Sequence, residues 1–482
     1  PHLAFGAGYA SPGCGGERDR DGILVAEERN AESRRTMDEK KKRLSTNPRI
    51  LITTAYRHSR RDFYDAIGAN FTRTPRFAFL RTVSTSLRFL KQNMPEIEIM
   101  EFPLWHEYVE KLKEGWDAVG FSFFNHDLAE ILQMVDEARR QGIKEIWAGG
   151  YGGLSPEAEC FADRIFHGYV EEQMSEEFFG RKLDRILHPP IVVPVNIVLP
   201  PMVPYKKVGL LFTQRGCPYR CTFCQTPVHS PHPCRLPLES IEEVLRYYRS
   251  HGINEVFILD EMFYTFPSHS EQVLDMLARY NFHWWVQSRA DLTLKHIDSW
   301  TERGMVNVGF GLESVRDEIL EKIGKRTNLD VMRSFRRATR ARNIFTMAFY
   351  MIGYEEDTVE SVLEDYETLR EMGFDAHQLC VLTPYPKTPL WYEIKEHYGI
   401  FERDYHKYDA RYLVWNHPSI TPGQMEFLKR VGMASLNVPM KNYGKGIIRM
   451  AQKRINKKGF GFLWDDFLRP IVHSLRYNER KQ

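Results

Sequence analysis

At 482 residues, 43% of them hydrophobic and 27% charged, the chain is long enough for roughly two or three domains and has an ordinary globular composition. Its 66 lysines and arginines nearly balance 64 aspartates and glutamates, so a formal net charge of +2 excludes a global electrostatic footprint for nucleic acid. No apolar stretch is long enough to cross a bilayer and the first residues lack the apolar core of a secretion signal, so a cytoplasmic location is expected.

Residues 1–46 are polar, rich in Gly, Arg and Glu, and without apolar periodicity, which predicts a disordered tail. The first methionine is Met37, followed by the basic run Lys40, Lys41, Lys42 and Arg43, so translation is expected to start at Met37, with residues 1–36 upstream of it. From Arg49 regular structure begins. Strands are predicted over 49–56, 96–102, 117–124 and 144–150, and helices over 78–94, 105–114 and 127–142. Strands alternating with helices of this length make βαβ units, so 47–175 is expected to be a doubly wound, Rossmann-like α/β domain. Residues 176–206 become apolar and Pro-rich, which predicts an extended linker.

From 207 to 395 the alternation returns. Strands are expected over 208–214, 255–260, 283–289, 306–313, 345–353 and 376–386, with helices at 238–251, 269–280, 294–303, 315–323, 329–342 and 358–372. Six βα units predict a partial (β/α)6 barrel, whose active site would form at the C-terminal strand ends. Residues 396–482 read as a mainly helical C-terminal cap. Its tail from Tyr443 mixes basic residues with Phe460, Phe462, Trp464 and Phe467, which suits either a helix packed on the barrel or one lying on a membrane surface to deliver a lipid or isoprenoid.

Three of the seven cysteines, Cys217, Cys221 and Cys224, fall within eight residues in "RGCPYRCTFCQTP", directly after a strand. Thiolates are soft ligands suited to iron–sulfur clusters and zinc. A structural zinc site takes four ligands, which Cys234, His229 or His232 would have to complete. Three thiolates on a cubane would instead leave one iron open for a substrate or cofactor.

This C-x3-C-x2-C loop, with Phe223 before the last cysteine, resembles the radical S-adenosylmethionine (SAM) superfamily, and most of all the subgroup in which a cobalamin-binding domain precedes the barrel. The resemblance implies a 4Fe-4S cluster on Cys217, Cys221 and Cys224, SAM on the fourth iron, and reductive cleavage of SAM to methionine and a 5′-deoxyadenosyl radical that abstracts hydrogen from an unactivated carbon. It further implies that Phe223 packs near the adenine. "FILDEMF" resembles the second-strand motif, with Asp260 and Glu261 at its end, although these carboxylates would equally serve to cap the following helix. "VQSRADL" resembles the third-strand motif, with Ser288 and Arg289 toward the polar groups of SAM, and "GFGLES" the fourth, with Glu313 and Ser314 toward the ribose and methionine. "YMIGYEEDT" is similar to the fifth-strand turn, where Gly353 permits close backbone approach. "TPYPKTPLW" resembles the sixth, with Lys387 where Gly is common.

The domain at 47–175 resembles the subgroup's cobalamin-binding domain, with Ser122, Gly149, Gly150 and Gly152 where the cofactor would meet the strand ends. The Asp-x-His-x-x-Gly motif that supplies a lower axial histidine in some cobalamin proteins is missing, as it is in many members of this subgroup; a Rossmann-like domain without cofactor is the alternative. The implied activity is cobalamin-dependent methyl transfer to a small molecule, with cyclisation, rearrangement or carbon–carbon coupling as alternatives. The implied electron source is a one-electron reductase, flavodoxin or ferredoxin. A methylthiotransferase would carry three further cysteines in its first domain, where only Cys160 is found. A non-catalytic zinc scaffold is the remaining alternative.

Overall fold

The computed structural model describes residues 47–58, 79–80, 83–197 and 203–437; the expectations for residues 1–46 and for the basic C-terminal tail lie outside them. Two sheets organise the chain. The first is a five-stranded parallel sheet made of β1 (Ile50–Thr53), β3 (Glu98–Met100), β4 (Ala118–Ser122), β5 (Glu145–Gly149) and β6 (Arg164–Ile165), in the order β3-β1-β4-β5-β6. Every residue of β1 is buried, as expected of a parallel strand covered on both faces. Helices α1 (Thr85–Asn93), α2 (Trp105–Leu112), α3 (Leu128–Arg140), α4 (Ala158–Phe161) and α5 (Glu171–Phe179) connect and flank these strands. In α3, Leu128, Ile131, Met134, Val135 and Ala138 recur at helical spacing and are all buried. With Tyr108 and Phe121 they form the core of this layer.

The second sheet has eight strands. Six run parallel in chain order: β8 (Val203–Leu211), β11 (Glu255–Ile258), β12 (His283–Ser288), β13 (Met305–Glu313), β14 (Phe345–Ile352) and β15 (Ala376–Val381). These are the six expected barrel strands. The proline-rich stretch departs from its expected form as a linker. Within it β7 (Ile191–Ile197) pairs antiparallel with β8, with Ile191 and Val193 buried, and β2 (Phe79–Leu80) pairs antiparallel with β7. The full order is β15-β14-β13-β12-β11-β8-β7-β2. Pro194 is tolerated because β7 flanks the parallel set and the register shifts at Val195/Asn196.

Helices α6 (Thr226–His229), α7 (Leu238–Ser250), α8 (Pro267–Arg279), α9 (Ala290–Glu302), α10 (Asp317–Lys322), α11 (Leu329–Ala341), α12 (Val359–Met372), α13 (Pro389–His397) and α14 (Pro422–Leu436) follow in the second half of the chain. Tyr248, Trp284, Trp300, Phe310 and Phe335 are among the fully buried side chains of its core. Helix α12 starts on a Thr358–Ser361 capping box and stops at Gly373, whose φ of 63° ends it in the left-handed region. Tyr405, in the short turn Tyr405–Lys407, packs on the cores of both sheets. Among the described residues no helix is long and apolar enough to cross a membrane.

Candidate active site

The cysteine loop leaves the first barrel strand through a short hairpin. Strand β9 (Gln214–Arg215) pairs antiparallel with β10 (Cys234–Arg235), so residues 216–233 project as one closed loop carrying all three clustered cysteines and α6. Gly216 turns the chain into it at φ 78°, and a Cβ there would lie 3.1 Å from the Pro233 Cα. A Cys224 N–H to Cys221 carbonyl bond of 3.1 Å tightens the last turn. The sixth-strand segment grips the loop from the far side: the Leu390 N–H donates to the Thr222 carbonyl at 3.1 Å, and Gln225 Nε2 to the Pro386 carbonyl at 3.1 Å. Lys387 adopts φ 64° and its ammonium pairs with Glu159 at 2.9 Å, which accommodates a side chain where the family pattern has glycine.

Asp260 and Glu261 face this loop. The buried Asp260 accepts from the Thr213 N–H (2.7 Å), the Thr213 hydroxyl (2.5 Å) and the Gln214 N–H (3.3 Å). Burial outweighs those donors and pushes its carboxyl up to about 7. Glu261 accepts from the Gly216 N–H at 3.1 Å, immediately before Cys217, and from the Tyr169 hydroxyl. Both carboxylates hold the backbone that presents the cysteines.

Glu313 closes the other side. A register shift between β13 and β14 at Gly311/Glu313, with φ 64° at Glu313, turns its side chain back over Gly311. There it accepts from Lys325 Nζ at 2.7 Å. A Cβ on residue 311 would lie 2.1 Å from Glu313 Oε1 and 2.3 Å from Lys325 Nζ, so the glycine is what admits the pair. Arg289 positions that lysine: it donates to the carbonyls of Lys325 (2.7 Å) and Arg326 (2.9 Å), pairs with Asp291, and lies 4.5 Å over the ring of Tyr219, between two of the cysteines. Among the described residues the Ser288 hydroxyl is buried without a hydrogen-bond partner, whereas Ser314 Oγ accepts from the Arg316 N–H at 3.1 Å. Gly353, at φ 90°, donates to Asp357 at 2.6 Å. Phe223 is partly buried against the barrel core.

The three thiols lie within electrostatic reach of one another. Burial, and to a lesser extent the neighbouring thiols, raises Cys217 to about 11; burial likewise raises Cys221, which Lys325 and Arg289 offset only in part. Thiols so raised release their protons to a metal and not to water. The two cations beside Cys221 suit an anionic cluster. Cys234 is exposed on β10 and His229 packs on the Tyr151 ring at 4.7 Å. Among the described residues no group of three or more His, Cys, Asp or Glu is arranged to hold a single metal ion.

A cavity of about 290 Å³ joins the two sheets. Ser122, Gly149 and Gly150 line it from the C-terminal ends of β4 and β5, and Arg215, His229 and Glu261 from the cysteine-loop side. Its remaining wall is largely aromatic and apolar, with the hydroxyls of Thr54, Ser84 and Ser86 among the exceptions. That mixture fits a large flat group with an apolar body and a polar rim, as cobalamin is. Among the described lining residues the first sheet contributes no histidine; His58 instead faces Glu130 at 3.9 Å. Gly152 does not line the cavity: a Cβ there would lie 2.2 Å from the Phe123 ring, so its glycine serves packing. Gly150, at φ 73°, is pressed in the same way against the Phe123 carbonyl at 2.8 Å.

Sequence reasoning missed Gly311, Lys325, Arg215 and Tyr169. Gly311 had a local signal, since alternating glycines inside the strand "GFGLE" mark a close approach. The other three had none. Arg215 is sandwiched between the rings of Phe89 and Tyr169, 4.3 Å from each, and pairs with the equally buried Glu171 at 2.8 Å. This contact ties α5 to the strand that opens the cysteine loop.

Residues 211–369 match the Radical SAM superfamily, so this segment carries a domain of that kind. A domain of this class brings with it a 4Fe-4S cluster and SAM. The fold is that of cobalamin-dependent members. The methyltransferase TsrM from Kitasatospora setae, solved with tryptophan substrate and a SAM analogue, superposes with a TM-score of 0.59 at 15% identity, over 84% of this chain and 96% of TsrM. The cobalamin-dependent SAM radical enzyme OxsB, solved with aqua-cobalamin and SAM, gives 0.57 at 14% identity, over 90% of this chain and 75% of OxsB. In sequence, an uncharacterized methyltransferase of Pyrococcus horikoshii is 28% identical over 207 residues, which span 40% of this chain and 44% of that relative. The match thus spans under half the relative's length.

Proposed function

We propose that the protein is a cobalamin-dependent radical SAM methyltransferase that methylates an unactivated carbon of a small molecule, drawing electrons from a flavodoxin, ferredoxin or similar reductase in the cytoplasm. The observation that carries this reading is the cavity running from the strand ends of the first sheet to the cysteine loop of the second. The chemistry the bound groups supply is reductive cleavage of SAM and donation of a methyl group. Cys217, Cys221 and Cys224 are the cluster ligands. Asp260 and Glu261 fix the loop that bears them through Thr213, Gln214 and Gly216. The free hydroxyl of Ser288 and the Glu313–Lys325 pair offer one neutral and two charged groups to the polar parts of SAM. Ser122, Gly149 and Gly150 would hold the polar rim of a corrin, and the aromatic wall would exclude water from its body.

Anaerobically reconstituted protein is expected to form 5′-deoxyadenosine under a low-potential reductant and to retain a corrin absorbance through gel filtration. Cys221→Ala should abolish deoxyadenosine while keeping the corrin. Cleavage of SAM by that variant would refute the cluster assignment. Transfer of labelled methyl from SAM to cobalamin separates this reading from a cyclisation or rearrangement.

A further inference from the structure

Helix α14 completes the barrel at its open side. Strand β15 is the last in its sheet and would expose unpaired backbone groups. The Asn437 side chain instead brackets His377, accepting from its N–H at 2.8 Å and donating to its carbonyl at 2.9 Å. Gly432 lets α14 approach: a Cβ there would lie 2.5 Å from the Tyr366 ring and 2.7 Å from Leu379. Just before the helix, the Ala410 carbonyl accepts from the Val381 N–H at 2.8 Å, which pins residues 409–411 at the C-terminal end of β15. Those strand ends are where barrels do their chemistry.

Lys429 of α14 points into this corner. Its ammonium donates to the Arg411 carbonyl at 3.3 Å and forms no ion pair among the described residues. The charges around it do not cancel. Arg411 pairs with Asp409 at 3.1 Å, and the outward-facing Glu426 pairs with Arg430. Arg411 and Lys429 thus share the one carboxylate of Asp409, which leaves one half-buried positive charge over. Cys380, on β15, lies within electrostatic reach of both Lys429 and Glu313, and Glu313 within reach of Cys221. Asp409 is within reach of His126, at the end of the first sheet, and of Tyr385. Electrostatic proximity therefore links the cysteine loop through Glu313 and Cys380 to Lys429.

We infer that Lys429 anchors an anionic group of the substrate, a carboxylate or phosphate, at the mouth of the barrel. An unpaired cation withdrawn from water is costly, and a ligand anion offsets that cost while fixing the rest of the ligand over Glu313. Burial holds Lys429 down at about 8, and the nearby Asp409 offsets this only in part. Substrate anchoring here rests on the reading of the barrel mouth as the active site.

The test is trace acetylation of the full-length wild-type protein with an N-hydroxysuccinimide ester at about pH 8, scored at each lysine by peptide mass spectrometry. Inorganic phosphate and benzoate are the two probes. A bound anion favours the charged ammonium and so depletes the reactive neutral amine, about tenfold for every pH step by which the lysine's titration moves upward. Lys429 should label readily in buffer and at least severalfold more slowly with one probe, while exposed lysines such as Lys113 do not change. Protection by phosphate alone identifies a phosphate, and protection by benzoate alone a carboxylate. Absence of protection by either, or equal slowing at Lys113, overturns the inference. That failure would leave deoxyadenosine formation by the same protein intact, whereas failure of the proposed function would abolish it.

Discussion

The two sheets are both parallel α/β layers with their working edges at the C-terminal strand ends, yet those edges are built differently. At the barrel edge the side chains are ionic and locked: Asp260, Glu261, Arg289, Glu313 and Lys325 each hold a named backbone group or partner. At the edge of the first sheet the wall is aromatic, with hydroxyls and glycine backbone and few charges. The contrast follows from the guests each edge suits. A small anionic cluster and a charged nucleotide need fixed, aimed charges, because electrostatic positioning depends on geometry. A large flat macrocycle is held by area and by a scatter of weak polar contacts, so no single residue dominates.

The strongest way to break the comparison is to cut the joint between the two regions. Arg215→Met would leave Glu171 buried without its partner, and an uncompensated buried charge of this kind costs about 3–5 kcal/mol. The urea midpoint should fall accordingly; an unchanged midpoint would mean that Arg215 does not tie the layers together. Gly152→Ala probes the aromatic edge alone. Its Cβ would overlap the Phe123 ring, and overpacking costs about 1–3 kcal/mol. The variant should lose corrin retention before it loses deoxyadenosine formation, since the cysteine loop lies on the other sheet.

A pH-dependent test sharpens the ionic edge. Asp260 titrates at about 7 in the folded chain, above its ordinary value, so the native state binds more protons than the unfolded one between about pH 4 and 7. Its contribution to stability is therefore fully present below that window and is lost as pH rises through it, by up to about 1.4 kcal/mol per pH unit. Asp260→Asn cannot titrate and should flatten that part of the stability profile. Identical slopes for variant and wild type, measured by urea unfolding from pH 4 to 8, would show that Asp260 is not protonated on folding.

Much of this was legible from sequence where the signal is local. The six barrel strands, the first four strands of the first layer and the cysteine loop follow from periodicity and spacing, whereas the helix expected over 78–94 starts only at Thr85 because Phe79–Leu80 pairs as β2, and β6, α4 and α5 carried no such signal. Strand β7 was not, because Pro194 and its proline-rich flanks argue for a linker and only pairing with β8 outweighs that. Of the site residues expected from sequence, Asp260 and Glu261 face the loop as strand-end carboxylates should, but their partners are backbone groups some 45 residues earlier that no pattern reveals. Arg289 spends its donors on carbonyls at 325 and 326. Gly152 is pressed against the Phe123 ring.

The sequence by itself determined the chemistry, because three thiols within eight residues can meet a cluster whatever the rest of the chain does. Only the tertiary structure decided what surrounds them. Lys325 beside Glu313, Arg215 between two rings and Lys429 at the barrel mouth are brought into place by packing between segments distant in the chain. Long-range proximity of this kind leaves no local periodicity to read, since it depends on how whole layers stack and not on any stretch of residues.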